Sequence, residues 1–238
     1  MSKYVVLSVS NLTVAFDTRV IIRDLSFEVQ SGDTLAIIGP NGSGKSVLLK
    51  ALLKLLPFAG SIVWSPGVRL GYVPQKLAAD RQMPLHVRDL LEAKTRFLKL
   101  PQRDMREVCD QVGLTSVLLN ASIGVISGGQ FQKVLIDYAL LGNPGVLLFD
   151  EPTASLDELE EERIYELLEE FQKEQSLTLL LVSHDLSVIH RSANLVLCLS
   201  KGGTCIGAPD KVLTQEALRR PSAPPSVNLD RSEFRRSS

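Results

Sequence analysis

The sequence predicts an α/β protein: a mostly parallel sheet core, an antiparallel β lobe before it and an inserted helical subdomain. Three observations predict it. Apolar runs of strand length, Thr34–Ile38, Val146–Phe149 and Leu177–Val182, read as buried strands. The first runs through a glycine turn into the apolar helical stretch Val47–Leu53. From Leu85 to Leu119 the period turns helical, and no strand pattern interrupts it.

The glycine turn is the centre of the reading. Gly39-Pro40-Asn41-Gly42-Ser43-Gly44-Lys45-Ser46 fits G-x-x-x-x-G-K-[ST]. A strand, a tight turn and a helix start leave several backbone N–H groups aimed at one point, where the helix dipole adds positive potential. Such a loop is built to hold phosphate, with Lys45 reaching the β- and γ-phosphates and the Ser46 hydroxyl helping to hold Mg²⁺. At ordinary glycine frequency the bare pattern arises by chance in about one chain in a hundred of this length. The flanking strand and helix lower that further.

Bulk properties bound the class. The 238 residues suffice for one large domain or two small lobes, and 45% hydrophobic with 22% charged residues is ordinary for a soluble globular protein. Net charge −1 points away from nucleic acid and anionic membrane surfaces as the main partner. The N-terminal stretch has no long apolar segment or cleavage-type signal, and no apolar run approaches the roughly 18 residues of a spanning helix. Any role at a membrane is therefore expected to come through a partner. Cys109, Cys198 and Cys205 lack C-x-x-C spacing, which fits buried thiols in a reducing compartment; His86, His184 and His190 have no metal-ligand spacing.

In chain order, Leu12–Phe16 alternates as a strand, and Val20–Ile22 and Leu25–Val29 continue the β-rich opening. Phe16 is either a core aromatic or a face that stacks on adenine. After the first helix Pro57–Gly60 breaks the pattern, and Ser61–Trp64 and Arg69–Val73 read as short strands. Gln75 follows the second, at the strand end where open α/β sheets place ligand contacts. In the helical stretch Val87, Leu90, Leu91, Phe97 and Leu98 are expected on one apolar face, with Met105, Val108, Cys109 and Val112 on another. Arg88, Glu92, Lys94 and Arg96 are expected on solvated faces.

Ser127 is a good N-cap for a helix reaching Leu141, and Gly128 and Gly129 leave that helix start bare before Gln130. The turn reads as an ordinary capped helix or as a second anion-binding device. One nucleotide needs one phosphate loop, so a second such element suggests two copies sandwiching the nucleotide. Val146–Phe149 delivers Asp150 and Glu151 to a strand end, where an unpaired carboxylate pair costs several kcal/mol. A cation and a positioned water would satisfy it, with Asp150 the Mg²⁺ partner and Glu151 the general base. His184, after Leu177–Val182, is either a structural histidine or a donor to the γ-phosphate that orients water. Leu195–Leu199 and Thr204–Gly207 read as a closing hairpin. Residues 219–238, with five arginines and many Pro and Ser, lack apolar periodicity and are expected to be flexible.

Taken together, these residues resemble the ATP-binding-cassette ATPases from about Val5 to Leu218, with every element in the family's order. Gly39–Ser46 matches Walker A, Val146–Asp150 Walker B, Glu151 the catalytic base and Gln75 the Q-loop. Ser127–Gln130 matches the signature motif, Ser155-Leu156-Asp157 the D-loop and His184 the switch histidine. Phe16 falls where the family carries its adenine-stacking aromatic. Ile126 stands for the usual Leu, Val47 for the frequent Thr, and Asp137-Tyr138 for the usual Ala-Arg; none removes a group that hydrolysis needs.

The resemblance implies a single ATPase domain over 1–218, with the helical insertion at about 77–119. It implies ATP and Mg²⁺ as ligands. The phosphate loop, Val47 and Phe16 would bind nucleotide in one copy, with Ser127–Gln130 and Asp157 contributed across a head-to-tail homodimer. Glu151, His184 and Gln75 would serve hydrolysis, and Ser46, Gln75 and Asp150 the Mg²⁺. A finer likeness of Arg69–Leu77 and Met83–Leu85 is to the ATPase subunits of bacterial zinc and manganese importers. It implies integral membrane permease subunits, an extracellular or periplasmic metal-binding protein acting indirectly, and a place on the cytoplasmic face of the membrane. Transport of another solute, and a non-transport ATPase, are the rival readings.

Overall fold

The computed structural model describes residues 3–75, 85–151, 158–183, 186–200 and 203–213. Two sheets organise it. The smaller is antiparallel: β1 (Val5–Phe16) lies between β2 (Arg19–Gln30) and β4 (Ala59–Trp64). The larger has six strands in the order β5 (Leu70–Val73), β6 (Val146–Asp150), β7 (Thr178–Val182), β3 (Thr34–Ile38), β8 (Leu195–Ser200), β9 (Gly203–Gly207). All its pairings are parallel except the β8–β9 hairpin. The fold class expected from the sequence is the one observed.

Side-chain alternation explains the layers, because neighbouring residues of a strand face opposite sides. Leu35, Ile37, Leu148, Leu180, Val182, Leu197 and Leu199 turn toward helix α1 (Lys45–Leu52) and the antiparallel sheet. Leu147, Phe149, Leu179 and Leu181 turn toward the opposite side. They pack there with residues of α2 (Val87–Phe97), α3 (Gln102–Val112), α4 (Ser116–Leu119), α5 (Gly128–Leu140) and α6 (Glu158–Gln175). On that side of β3 and β8, Ala36 and Val196 meet α7 (Leu186–Ser192) and α8 (Pro209–Val212) in a small third cluster.

The structure departs from the sequence reading in definite places. β1 begins at Val5, and its register against β2 shifts at several points, one of them around Asn11, whose φ is +53°. Such irregularities break the alternation that signals a strand. Ala59 and Gly60 join β4 rather than ending the pattern. A Cβ on Gly60 would lie 2.6 Å from the Ser10 carbonyl oxygen and 2.4 Å from that of Asn11, so only glycine admits this approach. Phe97, expected on the apolar face of α2, is 84% exposed.

Lys94 takes the inner position instead, two turns after the buried Val87, and this corrects its assignment to a solvated face. Its ammonium lies 4.3 Å above the Tyr138 ring and donates to the Tyr138 carbonyl. Burial pulls its pKa down to about 8, against the pull of Asp137.

Asp137 is fully buried. Its Oδ2 accepts the Cys109 thiol at 3.2 Å, and its Oδ1 has no partner among the described residues. Burial raises its pKa from 3.8 to about 7, opposed by the Cys109 hydrogen bond and the Lys94 charge. The folded protein then holds this proton up to about pH 7, while the unfolded chain releases it near pH 4. Stability from this group is complete below pH 4 and falls as pH rises to 7, by up to about 4 kcal/mol. Lys94 titrates above that window. Asp137→Asn is therefore expected to melt higher than wild type at pH 8. The advantage should shrink toward pH 4, as read from paired melting curves; a pH-independent difference would contradict it.

Candidate functional site

The phosphate loop joins β3 to α1. Gly39 must be glycine for two reasons: its φ is +147°, and a Cβ there would lie 2.1 Å from the Leu199 carbonyl oxygen on β8. Gly44 caps α1 in the left-handed region with no side-chain hydrogen bond, leaving the helix N-terminus open to an anion. The Ser43 hydroxyl is buried under the loop with no hydrogen-bond partner among the described residues, as fits a group awaiting a phosphate oxygen. Asn41 and Gly42 are exposed at the tip. Val47 packs partly against the core, so its side chain is an apolar prop of the loop.

Lys45 is 7% exposed and donates to its own loop, to the Gly39 carbonyl at 2.9 Å and the Pro40 carbonyl at 3.4 Å. Its ammonium also lies 3.7 Å from a Glu151 carboxylate oxygen. Ser46 donates to Asp150 Oδ1 at 2.9 Å, while the Tyr72 hydroxyl sits 3.5 Å from Asp150 Oδ2. The Gln75 amide donates to Glu151 Oε2 at 2.7 Å. The ends of β3, β5 and β6 thus bring Lys45, Ser46, Gln75, Asp150 and Glu151 into one constellation.

The electrostatics follow from burial. Asp150 is 2% exposed. Burial raises its pKa, the Ser46 hydrogen bond opposes this, and the Glu151 charge adds to it. Tyr72 is pushed up to about 12 by burial, then by Asp150. Two carboxyl groups with a hydroxyl at the loop form a hard oxygen donor set, which fits Mg²⁺. Glu151 itself has φ +46°, a strained conformation for a side-chain-bearing residue, and its N–H donates to Val182 at 3.2 Å.

Beside this constellation a cleft of about 830 Å³ runs between the sheet edge and α2 and α5, lined by Ser46, Lys50, Tyr72, Gln75, Lys94 and Tyr138. Tyr72, Lys94 and Tyr138 are not among the candidate site residues that the sequence marks. For Lys94 the available signal was its two-turn spacing from Val87.

Phe16 ends β1 and is 42% exposed, which overturns the core-aromatic alternative and leaves a ring free to stack. Ser127 caps α5 in a full capping box: its Oγ accepts from Gln130 N at 3.1 Å, and Gln130 Oε1 accepts from Ser127 N at 2.9 Å. Ser127, Gly128 and Gln130 are exposed, Gly129 is half-buried, and among the described residues no hydrogen bond ties this turn to the phosphate loop. Asp157 and His184 lie outside the described residues.

A family model described as ABC transporter matches residues 22–154, more than half of the chain. The chain belongs to the ABC transporter family. Relatives within the family sharpen the likeness. A zinc import ATP-binding protein, ZnuC, of Ruegeria pomeroyi is 39% identical over 212 residues, covering 87% of this chain and 80% of the relative. The ZnuC of Cereibacter sphaeroides is 41% identical over 194 residues, 79% and 76% of the two chains. That of Yersinia pestis is 37% identical over 215 residues, 88% and 82%.

Among solved structures, an inward-facing conformation of a metal-chelate type ABC transporter superposes with a TM-score of 0.79 at 28% identity, covering 90% of this chain and 87% of the other. An ATP-binding subunit of an ABC transporter gives 0.77 at 24% identity, covering 90% and 95%; it speaks for the fold. ATP binding and ATP hydrolysis coupled to transport follow from the family.

Proposed function

We propose that this chain is the ATPase subunit of a zinc importer, acting as a head-to-tail homodimer on integral membrane permease subunits. The observation that carries the chemistry is the convergence of Lys45, Ser46, Gln75, Asp150 and Glu151 at the strand ends beside the phosphate loop. The choice of zinc rests on the ZnuC relatives alone. No helix among the described residues is long and apolar enough to cross a membrane, so contact with the bilayer would come through the permease.

Substrate enters with its phosphates over the open start of α1. Lys45 then exchanges the Gly39 and Pro40 carbonyls for phosphate oxygens, which also loosens its hold on Glu151. Asp150 and the Ser46 hydroxyl would hold Mg²⁺, with Gln75 at the same site, and the ion would neutralise charge on the phosphates. Glu151, held by Gln75 at 2.7 Å, takes the proton of the attacking water. Phe16 stacks on adenine and the exposed Ser127 turn closes on the nucleotide bound by the other copy, together with Asp157. His184 stands as the γ-phosphate donor, and Val47 supports the loop.

Ser127→Ala separates cap from site. Loss of the cap alone costs about 1 kcal/mol of stability. If the turn also closes on nucleotide, ATP turnover should fall far more than that, with monomer ATP affinity unchanged in calorimetry. Full turnover in a folded Ser127→Ala protein would remove the turn from the site.

The transport assignment is tested by reconstituting the chain with its permease and metal-binding protein in liposomes. Zinc should stimulate ATP hydrolysis above manganese and should accumulate inside with ATP supplied on the ATPase side. Equal stimulation by a metal-free solute, or none by zinc, would overturn it.

A further inference from the structure

Cys198 and Cys205 are direct partners in the antiparallel register of β8 and β9. Residues so placed have Cα atoms about 4.5–5.5 Å apart, within the roughly 4.4–6.8 Å that a disulfide spans. Alternation puts both thiols on one side. Leu197, Leu199 and Ile206 pack into the cluster beneath α1, whereas Cys198 and Cys205 pack with Ala36, Ile189 and Val212 beneath α7 and α8. Both thiols are free and half-buried, and β9 is the outer strand of its sheet. None of the nucleotide chemistry uses them.

We propose that Cys198 and Cys205 form a reversible disulfide site that takes hydrogen peroxide as its oxidant. The pair lies beside the nucleotide loop: Cys198 is the register partner of Ile38, which precedes Gly39, and Gly39 abuts the carbonyl of Leu199. The two sulfurs are unequal. The Cys198 thiol donates to Cys205, which lowers the Cys205 pKa to about 7 and raises that of Cys198. Cys205 is therefore the more readily ionised of the two, and the thiolate is the nucleophile.

Its sulfur attacks the peroxide, the O–O bond breaks, and Cys205 sulfenic acid forms with loss of hydroxide. Cys198, giving up its proton, then attacks that sulfur; the S–S bond forms, the S–O bond breaks, and water leaves. Two thiols lose two electrons to one peroxide, which ends as two waters. Cys109 is a built-in control, because it is 2% exposed, bonded to Asp137 and pushed well up by burial.

The full chain treated with one equivalent of hydrogen peroxide at pH 7.5, a condition of roughly neutral pH, should fall from 3 titratable thiols to 1. Dithiothreitol should restore all of them. Trypsin cuts after Arg191, Lys201 and Lys211, so the oxidised protein should yield the 192–201 and 202–211 peptides joined and lighter by two hydrogens. In Cys198→Ser a dimedone adduct should appear on Cys205. Unlinked peptides with all thiols retained, a bond that includes Cys109, or linkage only between two chains would each overturn the proposal.

Discussion

Glu151→Gln is expected to bind ATP and fail to turn it over, losing about 10²–10⁴-fold in rate. The argument is geometric. Glu151 is the carboxylate held at 2.7 Å by Gln75 and 3.7 Å from the Lys45 ammonium, while Asp150, one residue earlier, is engaged by Ser46. The amide keeps the shape and a hydrogen bond to Gln75 but cannot accept a proton from water. It also frees Lys45 from its carboxylate partner, so nucleotide affinity should hold or rise. Single-turnover hydrolysis and calorimetry separate the two quantities. Near wild-type turnover would remove Glu151 from the base role, and lost ATP binding would make its role structural.

Lys45→Ala is expected to weaken ATP binding by about 10–100-fold or more. Each charge-assisted hydrogen bond lost is worth about 1.5–3 kcal/mol, and about 1.4 kcal/mol is tenfold in affinity. The residue is nearly buried at the open end of α1, and without phosphate its ammonium satisfies itself on the Gly39 and Pro40 carbonyls. Those carbonyls are neutral acceptors and a single carboxylate, Glu151, stands at 3.7 Å, whereas a triphosphate offers several charged oxygens, so the exchange favours ligand. Calorimetric titration with ATP and Mg²⁺ reads it directly; an unchanged dissociation constant would place the phosphates elsewhere.

The loop, Asp150 and Glu151 were legible in the sequence because their function is carried by backbone geometry. A glycine spacing and an apolar run ending in two acids dictate where N–H groups and carboxylates must lie. The Ser127 cap was legible for the same reason. Four features were less so. Lys94 is charged, so composition sends it to solvent, but its two-turn spacing from Val87 draws its stem inward and its head over Tyr138. Phe97 is apolar, so composition sends it inward, but α2 ends there and leaves it 84% exposed. The Cys198–Cys205 pairing is a property of register, which two scattered cysteines in a sequence do not disclose. The short helices α7 and α8 escaped because one or two turns carry too little periodicity to read.

The central claim is that one copy's Lys45 and Glu151 act with the Ser127 turn of another, and a mixture of two dead variants tests it. Lys45→Ala and Ser127→Arg should each hydrolyse ATP at a small fraction of the wild-type rate. In a mixed head-to-tail dimer one site carries both changes and the other carries neither. Mixing the variants should therefore restore hydrolysis to roughly a quarter of the wild-type rate, the product of mixed dimers and intact sites expected from symmetric association. A mixture no faster than the sum of its parts would contradict the shared site.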